Sequence, residues 1–199
     1  IRVVPLDVSS NGGAVKRAAF EAARGEILVE LDHDDLLAPQ ALDRIGKALV
    51  DADFAYSNFA VFRDQTDDPI RYDAFFGWKT RPARVLGKNV LEHLAFDPSP
   101  AAIGYIWYAP NHVRAWTREA YQKAGGHDPS FSICDDHDLV IRTYLTGRMA
   151  RIDECLYLQR EHASTYIERN AEIQAKTREL YDKHIEAIVR RWCELTGKP

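Results

Sequence analysis

Two acidic clusters carry residue types and spacings able to do chemistry. Asp32, Asp34 and Asp35 fall within four residues, just after the apolar run Ile27-Leu28-Val29. Carboxylates this close repel one another unless a cation lies among them, and oxygen ligands at this spacing suit Mg2+ or Mn2+. The local alternative is that Asp35 caps the helix that follows while Asp32 and Asp34 are solvated. The second cluster, Asp135-Asp136-His137-Asp138, opens a helix. A helix dipole favours carboxylates there, and Asp138 can pair with Arg142 one turn on. Asp136 shares a helical face with Leu139, Val140 and Thr143 and is expected to point inward, as a general base facing a cleft would. Asp135, on the face of Asp138 and Arg142, is expected to meet solvent or another polar group.

A strand that ends in D-x-D serves two chemistries. In a phosphatase the first carboxylate is the nucleophile. In a nucleotide-sugar transferase the carboxylates hold a cation on the donor diphosphate. The phosphatase pattern puts the turn after the first strand and follows it with a Ser/Thr turn and a later Lys. Here a strand and a helix precede the turn, and no such series is evident.

The elements that must position these groups are legible in outline. Residues 1–6 read as a strand, 14–24 as a helix, and 26–31 as a buried strand that delivers the first cluster. A helix over 39–51 presents Leu42, Ile45, Leu49 and Val50 on one face, and Phe54–Phe62 reads as another strand. Strand alternating with helix implies an α/β sheet with parallel pairs. Residues 63–112 look loop-rich, with Pro69, Pro82, Pro98, Pro100 and Pro110, and read either as a functional lid or as a surface excursion. Their aromatic and polar residues Trp78, Tyr105, Trp107, Tyr108, Asn111 and His112 are candidates for a lid lining or for core packing. A short helix over 117–124, a Gly125-Gly126 break, a helix over 135–146 and a strand over 151–158 follow. The tail, 168–195, is a long amphipathic helix carrying Ile173, Leu180, Ile185, Ile188, Val189 and Trp192.

Composition bounds the rest. The 199 residues are 46% hydrophobic and 28% charged, as in an ordinary globular protein. A net charge of −4 argues against coating nucleic acid. No apolar run approaches the roughly 18–20 residues of a membrane span, and no signal peptide is visible at the Ile1 start. The three cysteines, Cys134, Cys155 and Cys193, have no disulfide or zinc spacing. A cytoplasmic setting is the expectation.

Three ordered motifs then resemble a family. Asn11-Gly12-Gly13 through Arg17, with Ala23-Arg24-Gly25-Glu26 leading to Leu31-Asp32-His33-Asp34-Asp35, is similar to the donor half of a family 2 glycosyltransferase of the GT-A fold. Gly125-Gly126-His127-Asp128-Pro129, followed by Asp135-Asp136-His137-Asp138-Leu139 and Arg142, resembles that family's GGFD and EDxDL…R segments. Leu156 to Ser164 resembles its LYxYRxHxxS strand.

The resemblance implies a GT-A-like α/β fold: a mixed, mainly parallel sheet flanked by helices, lacking the first strands, with a long C-terminal helix. It implies a partial transferase domain over 1–165 and a helical extension over 166–199. It implies Mn2+ or Mg2+ held by Asp34 and Asp32, with His162 near the metal or diphosphate, and Asp136 as the base in an inverting displacement. Asn11, Gly13, Arg17, Asp35, Gly126 and Asp135 fall on the donor side, and Trp107, Asn111 and His112 on the acceptor side. Asp135 departs from the family's usual Glu, and Ala18 stands where relatives often carry Asn. The implied partners are a nucleotide-sugar, a UDP-sugar first among them, and a glycan or lipid-linked acceptor in bacterial polysaccharide or glycoconjugate synthesis. The reaction is expected in the cytoplasm or at the inner face of the membrane, with an oligomer formed through the C-terminal helix as an option. The alternative is a catalytically incomplete fragment that serves as a binding or scaffold module.

Overall fold

In the computed structural model the described residues are 3–6, 11–64, 70–71, 77–106, 109–161 and 165–198. Along the chain they form α1 (Gly12–Ala22), β1 (Ile27–Glu30), β2 (Leu36–Leu37), α2 (Ala41–Ala48), β3 (Phe54–Phe62), β4 (Lys79–Val85) and β5 (Lys88–Leu94). Then come α3 (Pro100–Tyr105), β6 (Arg114–Thr117), α4 (Arg118–Lys123), α5 (Asp135–Thr146), β7 (Met149–Arg160) and α6 (Thr165–Thr196).

β3 is the spine of the sheet, and all nine of its residues are buried. β7 runs parallel along one edge of β3, while β6 and β5 share the other edge, both antiparallel. The two polar residues of this strand stay buried because they are satisfied. The Asn58 amide donates to Glu92 (2.7 Å) and Asp153 (2.9 Å) and accepts from the Ala95 N–H (2.8 Å). β1 pairs only with β6 among the described strands, antiparallel, and the chain of pairings runs β1-β6-β3-β5-β4.

The expected α/β class, mixed sheet and long C-terminal helix are all present, but the parallel share is smaller than expected. β1 and β3 point the same way, yet β6 is inserted between them, so β3–β7 is the one parallel pairing among those described. A strand more than eighty residues downstream takes the place that a local reading gives to β3. This insertion also sets the site, because its register places Arg114 opposite Glu30.

Three local readings change. Residues 3–6 are irregular and exposed, not a strand. In α2 the buried stripe is Ala41, Ile45 and Leu49, with Leu42 63% and Val50 77% exposed, because the i, i+4, i+8 row faces the sheet. The loop-rich segment contains a regular β4–β5 hairpin. Its turn residues Leu86 and Gly87 both have positive φ (50° and 78°), the backbone twist that a two-residue hairpin needs. Pro82 is tolerated because β4 lies at the sheet edge.

α6 is packed rather than free. Ile173, Leu180 and Ile188 join the same core as Phe54, Trp116 and Leu139. Gly104 of α3 lets it approach closely: a Cβ there would lie 3.1 Å from the Tyr181 ring and 3.3 Å from Ile188. No helix among the described residues is long and apolar enough to cross a membrane.

Candidate active site

β1 ends on Glu30, a 3% exposed carboxylate beside the β6 residue Arg114, itself 1% exposed. Arg114 Nε donates to Glu30 Oε2 (2.8 Å), and Lys16 of α1 reaches Glu30 Oε1 (2.6 Å). Arg114 Nη1 donates to Asp136 Oδ2 (2.8 Å) in the first turn of α5. Burial alone would raise the Glu30 pKa, but Arg114 and Lys16 outweigh it and hold the carboxyl well below its ordinary range. The same two cations overcome burial at Asp136 and keep it ionised. Asp136 therefore points inward, as expected.

α5 begins on Cys134, whose φ of 56° is left-handed and whose side chain makes no capping hydrogen bond. The first-turn carboxylates Asp135, Asp136 and Asp138 complement the helix dipole instead. Asp135 does not face bulk solvent: its side chain is 9% exposed, because the start of α1 and the 125–131 loop cover it. Burial first, then the Asp136 charge, raise its pKa to about 6. Asp138 is buried too, paired with Arg142 at 2.6 Å.

The acidic turn is tied to β7. The Asp32 N–H donates to the Tyr157 hydroxyl (3.2 Å), which donates to Asp35 Oδ2 (2.7 Å). Asp35 Oδ1 accepts the Arg160 backbone N–H (2.7 Å), and Arg160 Nε donates to the Asp34 carbonyl (2.8 Å). Both Asp35 oxygens thus bond to β7, and Asp35 does not cap α2, whose N-cap is Gln40. Asp32, 38% exposed at its side chain, faces His112 Nε2 at 3.8 Å, and His112 stacks on Tyr157 at 4.7 Å between ring centres.

Donor atoms of Glu30, Asp32 and His112 lie within 4.8 Å of one another. Carboxylate oxygens suit a divalent ion, and Asp32 offers one here, whereas the His112 Nε2 lone pair faces Arg114 Nη2 at 2.7 Å. Glu30 is already neutralised by two cations of the chain, so Asp32 is the carboxylate of this group with charge to offer. Asp34 lies outside this trio, and His162 lies outside the described residues.

The expected donor-side residues form a clasp on the 125–129 loop. The Asn11 side chain caps α1 through Ala14 N–H (2.9 Å) and donates to the Pro129 carbonyl (2.8 Å). Arg17 donates to the carbonyls of His127 (3.0 Å) and Gly125 (3.3 Å). Gly13 is required there: a Cβ would lie 2.3 Å from the Asp128 carbonyl oxygen. Gly126, at φ +67°, passes so near the Tyr121 ring that a Cβ would approach to 2.9 Å. His127 is fully buried against Phe20, Trp116 and Tyr121.

On the acceptor side, Asn111 Oδ1 accepts the His112 N–H (2.7 Å) and meets its Nδ1 (3.0 Å), so these two residues act together. Trp78 is core, packed edge-on against Phe59 and Phe96. Tyr105 is half exposed and packs against Tyr181 of α6. Trp107 and Tyr108 lie outside the described residues. Sequence reasoning passed over Lys16, Glu30, Arg114 and Tyr157. Two of them had a signal: Glu30 is a charged residue on an otherwise apolar buried strand, and Tyr157 lies inside the Leu156 to Ser164 motif.

The site joins a mixed sheet, a carboxylate turn at a strand end and the acidic N-terminus of a facing helix. Residues 1–107 match glycosyl transferase family 2, more than half of the chain, and the chain belongs to that family. Among solved structures it is similar to S. aureus TarS 1–349 in complex with UDP-GlcNAc, with a TM-score of 0.57, 12% identity and 94% of this chain covered. A second TarS 1–349 structure matches with a TM-score of 0.50, 14% identity and 96% of this chain. These likenesses show the fold, and the chain spans 55% and 54% of those chains. A search of curated proteins returned no match.

Proposed function

We propose that this chain carries out metal-dependent, inverting transfer of a sugar from a nucleotide-sugar to a hydroxyl acceptor, with a UDP-sugar as donor. The observation that carries this reading is the convergence of Asp32, His112 and Asp136, from three separate segments, around Glu30 and Arg114 at the carboxyl end of β1. TarS, whose structure holds UDP-GlcNAc, shares the fold and suggests the donor class.

In this reading Asp136 accepts the proton of the acceptor hydroxyl as the oxygen attacks the anomeric carbon. The bond from that carbon to the diphosphate oxygen breaks on the opposite side, which inverts the centre. Asp32 and Asp34 would hold a divalent cation, Mn2+ or Mg2+, which would offset the charge building on the departing diphosphate. Tyr157 and Asp35 keep the acidic turn in place. Residues 1–165 form the transferase unit and 166–199 its helical extension, working in the cytoplasm or at the inner face of the membrane.

The test is Mn2+-stimulated binding and turnover of UDP-GlcNAc and other UDP-sugars. Asp34→Ala is expected to abolish the metal stimulation, and Asp136→Asn to abolish transfer while donor binding persists. Normal turnover by either variant overturns the assignment. One observation favours a binding or scaffold module instead: Asn11 and Arg17, expected at the nucleotide, are spent on the 125–129 loop. Calorimetry separates the two readings, because the module predicts no heat with any nucleotide-sugar.

A further inference from the structure

Arg114 starts from β6, a strand with neighbours on both edges, facing Glu30 in one register and Tyr56 in the other. Its side chain is 2% exposed, so each N–H needs a partner inside the protein. Each guanidinium nitrogen meets a different site residue. Nε donates to Glu30 Oε2 (2.8 Å) and Nη1 to Asp136 Oδ2 (2.8 Å), and Nη2 lies 2.7 Å from His112 Nε2. A guanidinium has five donors and no acceptor, so the last contact requires an unprotonated Nε2 on His112. The ring proton then sits on Nδ1, where Asn111 Oδ1 accepts it at 3.0 Å.

We propose that Arg114 is the positioning residue of this site: one planar fork that aims Asp136, fixes His112 as the Nδ1–H tautomer, and registers both to the carboxylate turn through Glu30. The role of Asp136 in this statement rests on the function proposed above; the geometry and the tautomer do not. Glu30 is the last residue of β1, two before Asp32 in the turn that follows, so a guanidinium held by Glu30 is held next to the turn. Asp136 is gripped at both oxygens, because Oδ1 accepts the His137 backbone N–H (2.8 Å) while Oδ2 accepts from Arg114. Its rotamer is thereby fixed before any acceptor arrives. Lysine keeps the charge at this position but not the planar fork, and its single nitrogen cannot stand in the three places where Arg114 Nε, Nη1 and Nη2 meet their partners.

The experiment uses the full chain labelled with 15N-histidine, with His112 assigned by comparison with His112→Asn. Imidazole NMR at neutral pH is expected to show His112 in wild type as the Nδ1–H tautomer. Arg114→Lys and Arg114→Gln, checked for folding by circular dichroism, are expected to lose that single tautomer. A wild-type His112 with its proton on Nε2 overturns the proposal, and this reading needs no variant to fold. An unchanged tautomer in a folded Arg114 variant overturns it as well. With UDP-GlcNAc as probe, kcat is expected to fall at least tenfold in Arg114→Lys with KM within twofold, whereas unchanged kcat contradicts the aiming of Asp136. If wild type turns over no UDP-sugar, the proposed function fails, and the NMR result still decides what Arg114 does.

Discussion

Glu30→Gln is the sharpest test of the buried charge cluster. The carboxylate pairs with the Lys16 ammonium at 2.6 Å, accepts from Arg114 Nε at 2.8 Å and is 3% exposed. An amide of the same shape can accept from only one of these donors, and it removes the charge that offsets both. Lys16, 24% exposed at its side chain, can turn partly to water, whereas Arg114 at 2% cannot. Removing one partner of a buried ion pair costs about 3–5 kcal/mol, and the relief available to Lys16 puts this case near the low end, about 3 kcal/mol. For a chain of this size that lowers Tm by roughly 6–12 °C. Urea unfolding followed by tryptophan fluorescence at pH 7 measures it. The pH dependence has a definite sign. The folded-state pKa of Glu30 is depressed, so its stabilisation is present above the ordinary glutamate value and is lost only as pH falls below it toward the folded value. The gap between wild type and variant should therefore shrink below about 4.3. A loss under about 1 kcal/mol at pH 7 would refute the idea that Glu30 is the anion of this cluster.

Other outcomes follow from the same geometry. Asp135 has its pKa raised to about 6 by burial and by Asp136, so its contribution is present at low pH and lost as pH rises from about 4 to about 6. Asp135→Asn should match wild type near pH 4 and exceed it in stability by up to about 3 kcal/mol at pH 8, read from denaturant midpoints; equal stability at both pH values contradicts the assignment. Tyr157→Phe deletes the hydroxyl shared by the Asp32 N–H and Asp35, and should cost about 1–3 kcal/mol and weaken Mn2+ binding in a titration. Gly13→Ala places a methyl 2.3 Å from the Asp128 carbonyl and should cost about 1–3 kcal/mol in the same unfolding assay, because α1 and the 125–131 loop must separate.

The carboxylate turn, the inward Asp136, the buried strand over 54–62 and the helix over 135–146 were legible in the sequence, because each follows from local rules. Residue type, a period of 2 or 3.6, and the electrostatics of a helix start need no distant partner. The family was legible for a related reason, since its motifs are short and ordered along the chain. What the chain order could not reveal is the insertion of β6 between β1 and β3. That pairing joins segments more than eighty residues apart and depends on long-range hydrogen-bond register, which leaves no periodic trace. With it came Arg114 beside Glu30 and His112 beside Asp32. Burial of Asp135 was equally hidden, because the cover comes from α1 and a loop rather than from its own helix. The sequence by itself determined which groups could react. The tertiary structure decided which of them are neutralised by Lys16 and Arg114 and which keep charge to offer, because Coulomb energy and desolvation depend on distance in space and not along the chain.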